Sequence, residues 1–201
     1  MITRLTDLVN ERFASYADAL GGAPVHRVEF SRRITTSWAL IYYRRNLVRL
    51  SPYLFLLPAS DLERGSHWRE LDATLRHEAA HAVRFALAGD GGHSREFHDL
   101  LARAGVNAHG ACDVGPENAA WRYVYACPTC TVEWRRRKPL KGNWSCGSCA
   151  PGRFDAAHRM ILRELADPWA RVLSVRERID ACLAEAEAED SIKRPVPLAR
   201  V

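Results

Sequence analysis

The pentad His77-Glu78-Ala79-Ala80-His81 constrains this chain more than any other stretch. It lies in residues 71–88, where Leu71, Leu75, Ala79, Ala82, Val83, Ala86 and Leu87 recur at spacings of three and four. That is the period of an amphipathic helix. Ser66 is placed to cap its start and Gly89 to end it. Residues four apart stack on one helix face, so His77 and His81 present two imidazoles to one point, as in a helix that binds Zn²⁺. Glu78 is rotated by about 100° from His77. It is too far round to be a natural third ligand, but it can reach a water beside the ion. Two uncompensated histidines on the apolar side of a helix would be costly to bury, which favours a metal over a chance pattern. These are the parts of metal-assisted hydrolysis: an ion that acidifies water and polarises a carbonyl, and a glutamate that carries the water's proton to the leaving amine.

A catalytic zinc takes three protein ligands and keeps one position open. His93, Glu96 and His98 are the downstream candidates. One protease pattern wants Gly three residues after the second His and a further His three beyond; those positions hold Arg84 and Leu87, which excludes it. His93 opens the next helix just past the turn at residues 89–92, where it is best placed to fold back on the first helix. Glu96 lies a helical turn further in, beside Phe97, and His98 is rotated about 100° from Phe97. Geometry leaves all three open.

Cys127-x-x-Cys130 and Cys146-x-x-Cys149 are separated by fifteen residues. Two such knuckles match a closed tetrahedral Cys₄ zinc site, and a segment this short depends on its metal to fold. Cys112 and Cys182 stand alone, so the cysteine usage fits a reducing compartment. Between the knuckles lie Trp134, Arg135, Arg136, Arg137, Lys138, Lys141 and Trp144. Five cations and two indoles suit phosphate contacts with base stacking. The alternative is a hydrated hairpin whose tryptophans pack on the knuckles.

The remaining chain fills in an α+β pattern. Residues 3–20 form an amphipathic helix stopped by Gly21-Gly22. Residues 25–50 form a small antiparallel sheet of about three strands, with Arg27, Arg32, Arg33, Arg44, Arg45 and Arg49 giving it a positive tilt. Residues 53–62 make short helical turns. Ser94 caps a second helix running to about Ala104, with Phe97, Leu100 and Leu101 inward. Residues 105–118 are a loop in which His109 and Cys112 are structural. Residues 121–126 are a strand, and residues 154–190 read as two helices broken at Asp167-Pro168. A chain of 201 residues bounds this to one domain with a small appendage. No run reaches the ~18 apolar residues of a membrane span and the start lacks a signal-peptide core, so the expectation is a cytoplasmic protein without a membrane partner. A net charge of +5 permits a nucleic-acid partner without requiring one.

The pentad, the segment Gly92-His93-Ser94-x-Glu96-Phe97 and the two cysteine pairs together resemble the SprT-like (Spartan-type) zinc metalloprotease family over about residues 27–149. The resemblance assigns His77, His81 and His93 as ligands, Glu78 as general base, and Glu96 to packing or support of the site. It implies a zincin-like catalytic domain over residues 1–118, carrying the small antiparallel sheet and a metal-binding helix pair. A Cys₄ zinc ribbon follows over 119–153, then a C-terminal helical extension over 154–190 and a flexible tail over 191–201. The expected activity is a zinc-dependent endopeptidase with one catalytic and one structural Zn²⁺. Its expected partners are protein substrates and DNA, single-stranded or in DNA-protein crosslinks, and it is expected to be a monomer that associates with the nucleoid. The competing reading is a non-catalytic, zinc-containing nucleic-acid-binding module. Residues 47–50 are expected to pair with an extended substrate. Tyr42, Tyr43, Arg49 and Arg84 stand unranked as stabilisers of the oxyanion.

Overall fold

The structure is a computed structural model that describes residues 2–62, 64–106, 119–165 and 175–193. The chain divides into two compact units, Met1–Pro116 with Ser174–Val201, and Glu117–Leu173.

In the first unit, helix α1 (Ile2–Leu20) buries Leu5, Val9, Phe13, Ala17 and Leu20 along one stripe. It stops where the Gly21 and Gly22 N–H groups bond back to the carbonyls of Asp18 and Ala17. Three strands follow: β1 (Arg27–Phe30), β2 (Ala39–Tyr42) and β3 (Leu47–Leu50). Their order is β1-β3-β2. β2 and β3 form an antiparallel hairpin through a turn in which Asn46 takes the left-handed conformation, with φ 45°. β1 runs parallel to β3, Arg27 opposite Leu47, so the expected antiparallel sheet is corrected to a mixed one. The reason is the connection: residues 31–38 do not turn back as a hairpin but bring the chain to the far side of β3. β3 is therefore central and both its edges are taken, which removes residues 47–50 as a free edge for a substrate. The outer edge of β1 is also occupied. Asn10 of α1 accepts a hydrogen bond from the Val28 N–H at 2.7 Å and donates to the Val28 carbonyl at 2.9 Å. Among the described residues no further strand pairs with β2.

Helix α2 (His67–Ala88) starts where Ser66 Oγ accepts the Arg69 N–H and ends at Gly89, with φ 69°, as the cap residues predict. Trp68, Leu71, Leu75, Ala79 and Val83 are buried. Helix α3 (Arg95–Arg103) is capped by Ser94, whose Oγ accepts the Phe97 N–H, and buries Phe97, Leu100 and Leu101. A polar cluster ties these helices. Tyr16 donates to Asp72, Arg76 donates to Asp72 at 2.7 Å and to the Ala104 carbonyl at 2.9 Å. Burial and then the Asp72 hydrogen bond push the Tyr16 phenol up to about 12.

Helix α4 (Val175–Lys193) returns to this unit. Arg178 donates to the carbonyls of Phe55 and Leu57 at 3.0 and 2.7 Å, and Glu185 receives Ser66 and Arg69. These contacts place α4 at the N-terminal end of α2, away from the His77–His81 segment.

In the second unit, β4 (Tyr123–Ala126), β5 (Glu133–Arg136) and β6 (Ile161–Leu165) form an antiparallel sheet in the order β5-β4-β6. The reading of residues 154–190 as two helices is corrected here for its first part. Residues 161–165 pair with β4, because the free edge of β4 supplies ladder partners that composition does not reveal. The break at Asp167-Pro168 and the loop residues His109 and Cys112 lie outside the described residues. Among the described residues no helix is long and apolar enough to cross a membrane.

Candidate metal centre

His77 and His81 project from one face of α2, and His93 stands in the turn before α3. One ring nitrogen from each lies within 4.8 Å of the others. His77 Nε2 and His81 Nε2 are 3.1 Å apart. That is close to the ~3.3 Å edge of a tetrahedron with zinc–nitrogen bonds of about 2.0–2.1 Å. His81 is buried while His93 is exposed, so the cluster is open on one side. Phe97 floors it. This ring is fully buried, stacked on His81 at 4.2 Å between centroids and edge-on to His93 and His77 at 4.7 and 5.2 Å.

The electrostatics favour the ligand form. Burial lowers His77 and His81 to about 4 each. The neighbouring imidazoles add to that drop, and a Gly91 backbone group opposes it at His81. Both rings are neutral at pH 7, the state in which imidazole binds a metal. Glu78 follows on the same helix. Burial alone pushes its carboxyl up to about 8, because no partner compensates the charge. Tyr43 lies near enough to feel that carboxylate: burial first, then Glu78 and Asp90, raise its phenol.

Of the three candidates for a third ligand, the structure brings His93 to the pair. Glu96 is exposed, accepts the Ser94 hydroxyl at 2.6 Å and faces Arg84 at 3.7 Å. His98 is exposed and outside the converging group. Sequence reasoning missed the role of Phe97 as the shared support of three rings. The available signal was its place three residues after the Ser94 cap, on the inward face beside His93.

The four cysteine sulfurs of the second unit also lie within 4.8 Å of one another. Cys127–Cys149 and Cys130–Cys146 are 3.9 and 3.5 Å apart, close to the ~3.8 Å edge of a tetrahedron with zinc–sulfur bonds of about 2.3 Å. The backbone N–H groups of Cys149 and Ser148 help lower Cys146 to about 7, while the hydrogen bond with Cys130, then burial, pushes Cys149 up to about 12; the thiolate is the form that binds metal. Both donor sets therefore suit a tetrahedral cation such as zinc.

The basic run between the knuckles is not one patch. Trp134 packs on the core of Tyr125, Cys127, Cys146 and Met160, as the packing alternative expected. Arg135 and Arg136 are consecutive in β5 and point to opposite faces, and Arg135 sits 5.1 Å over the Trp121 ring. Arg136, Lys138 and Lys141 are exposed, Arg137 is half-buried, and Trp144 is 50% exposed with its indole N–H on the Lys141 carbonyl.

The SprT-like family profile matches residues 2–115, the stretch that contains all three histidines. The chain belongs to the SprT-like family. It is 36% identical over 87 residues to "Protein SprT-like" of Geobacillus sp. (strain WCH70). That alignment covers 40% of this chain and 54% of the relative, so the chain spans about half the length of the curated relative it matches. No solved structure matches the chain. Family membership supports a metallopeptidase-related function centred on α2 and α3; the cysteine cluster lies beyond the matched residues.

Proposed function

We propose that this protein is a zinc-dependent endopeptidase of zincin-like architecture, with His77, His81 and His93 holding the catalytic Zn²⁺ and Glu78 as general base. The observation that carries the reading is the convergence of three imidazoles, two of them on α2 beside the buried Glu78 carboxylate, for which burial is the one cause of its shift. A structural site has no use for that carboxylate. A bound Zn²⁺ would supply Lewis-acid polarisation of the scissile carbonyl and lower the pKa of water to about 7. The chain's own contribution is proton transfer and alignment. Glu78 takes the proton of the attacking water and releases it to the leaving amine, and burial, which raises its carboxyl, makes it a stronger base for the first step. An extended substrate would pair with β2, the sheet edge that no described strand covers, in place of the expected residues 47–50.

Glu78→Gln tests the assignment. It should retain fold and both metals while abolishing cleavage of casein or of a DNA-bound protein. Cleavage by Glu78→Gln at the wild-type rate would sink the catalytic assignment. If wild type cleaves nothing with or without DNA, the non-catalytic binding module becomes the better reading.

The second unit is proposed as a Cys₄ zinc ribbon that recruits the protease to DNA-bound or DNA-crosslinked proteins. Exposed Trp144 supports this: it lines a groove of about 620 Å³ with Tyr125, Leu140, Arg159 and Met160, and its indole N–H bonds the carbonyl of exposed Lys141. Affinity for single-stranded DNA should fall steeply with salt and drop on Trp144→Ala, whereas Trp134→Ala should act through the ribbon's stability. Binding that ignores salt removes the nucleic-acid role.

A further inference from the structure

The turn that carries His93 is fastened by the residue that follows β2. Tyr43 follows β2, and its ring stacks on Phe85 of α2 at 4.2 Å and 11°. Its hydroxyl donates to the Gly91 carbonyl at 3.2 Å. Gly91 is not in the left-handed region, so its backbone does not call for glycine. Space does: a Cβ there would fall 1.9 Å from the Tyr43 hydroxyl oxygen and 2.2 Å from Cζ, well inside van der Waals contact. The Nδ1 of His81 is buried without a hydrogen-bond partner among the described residues, so no side-chain hydrogen bond holds that ring from behind. His93 is two residues further on. Tyr43 and Gly91 thus meet where the turn, the second ligand and the third ligand meet.

We propose that Tyr43 is a positioning residue for the histidine metal site: its phenol, seated in the space left by Gly91, clamps the turn at residues 89–92 so that His93 is carried to His77 and His81. The other side-chain ties of this turn among the described residues fall at other positions. Arg84 reaches Ser94 Oγ at 3.1 Å and Asp90 only at 4.0 Å, and Asp90 caps its own turn through the Gly92 N–H. Neither holds residue 91, where the turn meets Tyr43. The inference rests on the reading of the three histidines as a metal site, and not on proteolysis.

The test is Co²⁺ titration of the full-length chain. Thiolate-bound cobalt is told from histidine-bound cobalt by its charge-transfer band, and helix ellipticity reports the fold. Tyr43→Phe keeps the Phe85 stack and loses only the hydroxyl; it should weaken the histidine site about 10-fold, the lower end for a lost supporting contact. Gly91→Ala should weaken it more, by about 100-fold. The double variant Tyr43→Ala/Gly91→Ala should bind no worse than Tyr43→Ala alone, since the clash is gone. The thiolate band should be unchanged throughout. Wild-type affinity in both Tyr43→Phe and Gly91→Ala, or effects that simply multiply in the double variant, overturns the clamp. Absence of histidine-bound cobalt in wild type would instead defeat the metal reading and the clamp with it, so the two failures are distinguishable.

Discussion

Cys146→Ser should unfold the second unit and leave the first intact. Cys146 is fully buried and belongs to a buried cluster there with Tyr125, Cys127 and Met160. β4, β5 and β6 contain four, four and five residues. Ordering their backbones costs on the order of 13–26 kcal/mol at about 1–2 kcal/mol each. Burying Tyr125 and Met160 returns about 3–6 kcal/mol. A structural zinc in a thiolate site contributes about 10–16 kcal/mol, which closes the gap; a site short of one thiolate does not. Amide hydrogen exchange read by mass spectrometry is the assay. Peptides spanning residues 123–126 and 133–136 should lose protection in Cys146→Ser, or on chelation of wild type, while peptides from α1 and α2 keep theirs. Unchanged protection of β4 and β5 in the metal-depleted variant would refute the reasoning, because the hairpin would then be held by packing that this buried cluster does not provide.

Phe97→Leu should fold, since it keeps an apolar side chain in the buried site, but it removes the ring contacts to His77, His81 and His93, worth about 0.5–1.5 kcal/mol each; urea unfolding should show a loss of about 1.5–4.5 kcal/mol, and chelator competition a zinc affinity about 10-fold weaker. Wild-type zinc affinity in that variant would make Phe97 a core residue only. In metal-free protein, stability followed by helix ellipticity should pass through a maximum near pH 6.5. Glu78, raised to about 8, is a charge-burial penalty that is relieved as pH falls from 8. His67, lowered by burial, and His77 and His81, lowered to about 4, contribute stability that is complete above about pH 6.5 and lost below it. Glu78→Gln should abolish the rise between pH 8 and 6.5 and keep the fall; an unaltered rise would contradict the burial argument.

What the sequence determined by itself was local. The boundaries of α2 follow from Ser66 and Gly89, because caps act on backbone groups within one turn. The pairing of His77 with His81 follows from a spacing of four, because the helix repeats every 3.6 residues. The two cysteine pairs follow from knuckle spacing. What only the tertiary structure decided was which distant segments meet. The parallel pairing of β1 with β3, the use of residues 161–165 as β6 and the return of α4 to the first unit each depend on partners far along the chain. Strand propensity does not specify such partners. The same holds at the site. Spacing alone left position 93 as one of three candidates, the family resemblance pointed to His93, and the turn is what brings it to α2. Phe97 beneath the rings and Tyr43 against Gly91 are contacts between separate elements. A periodic pattern states which way a side chain faces, and only the packed fold states what it faces.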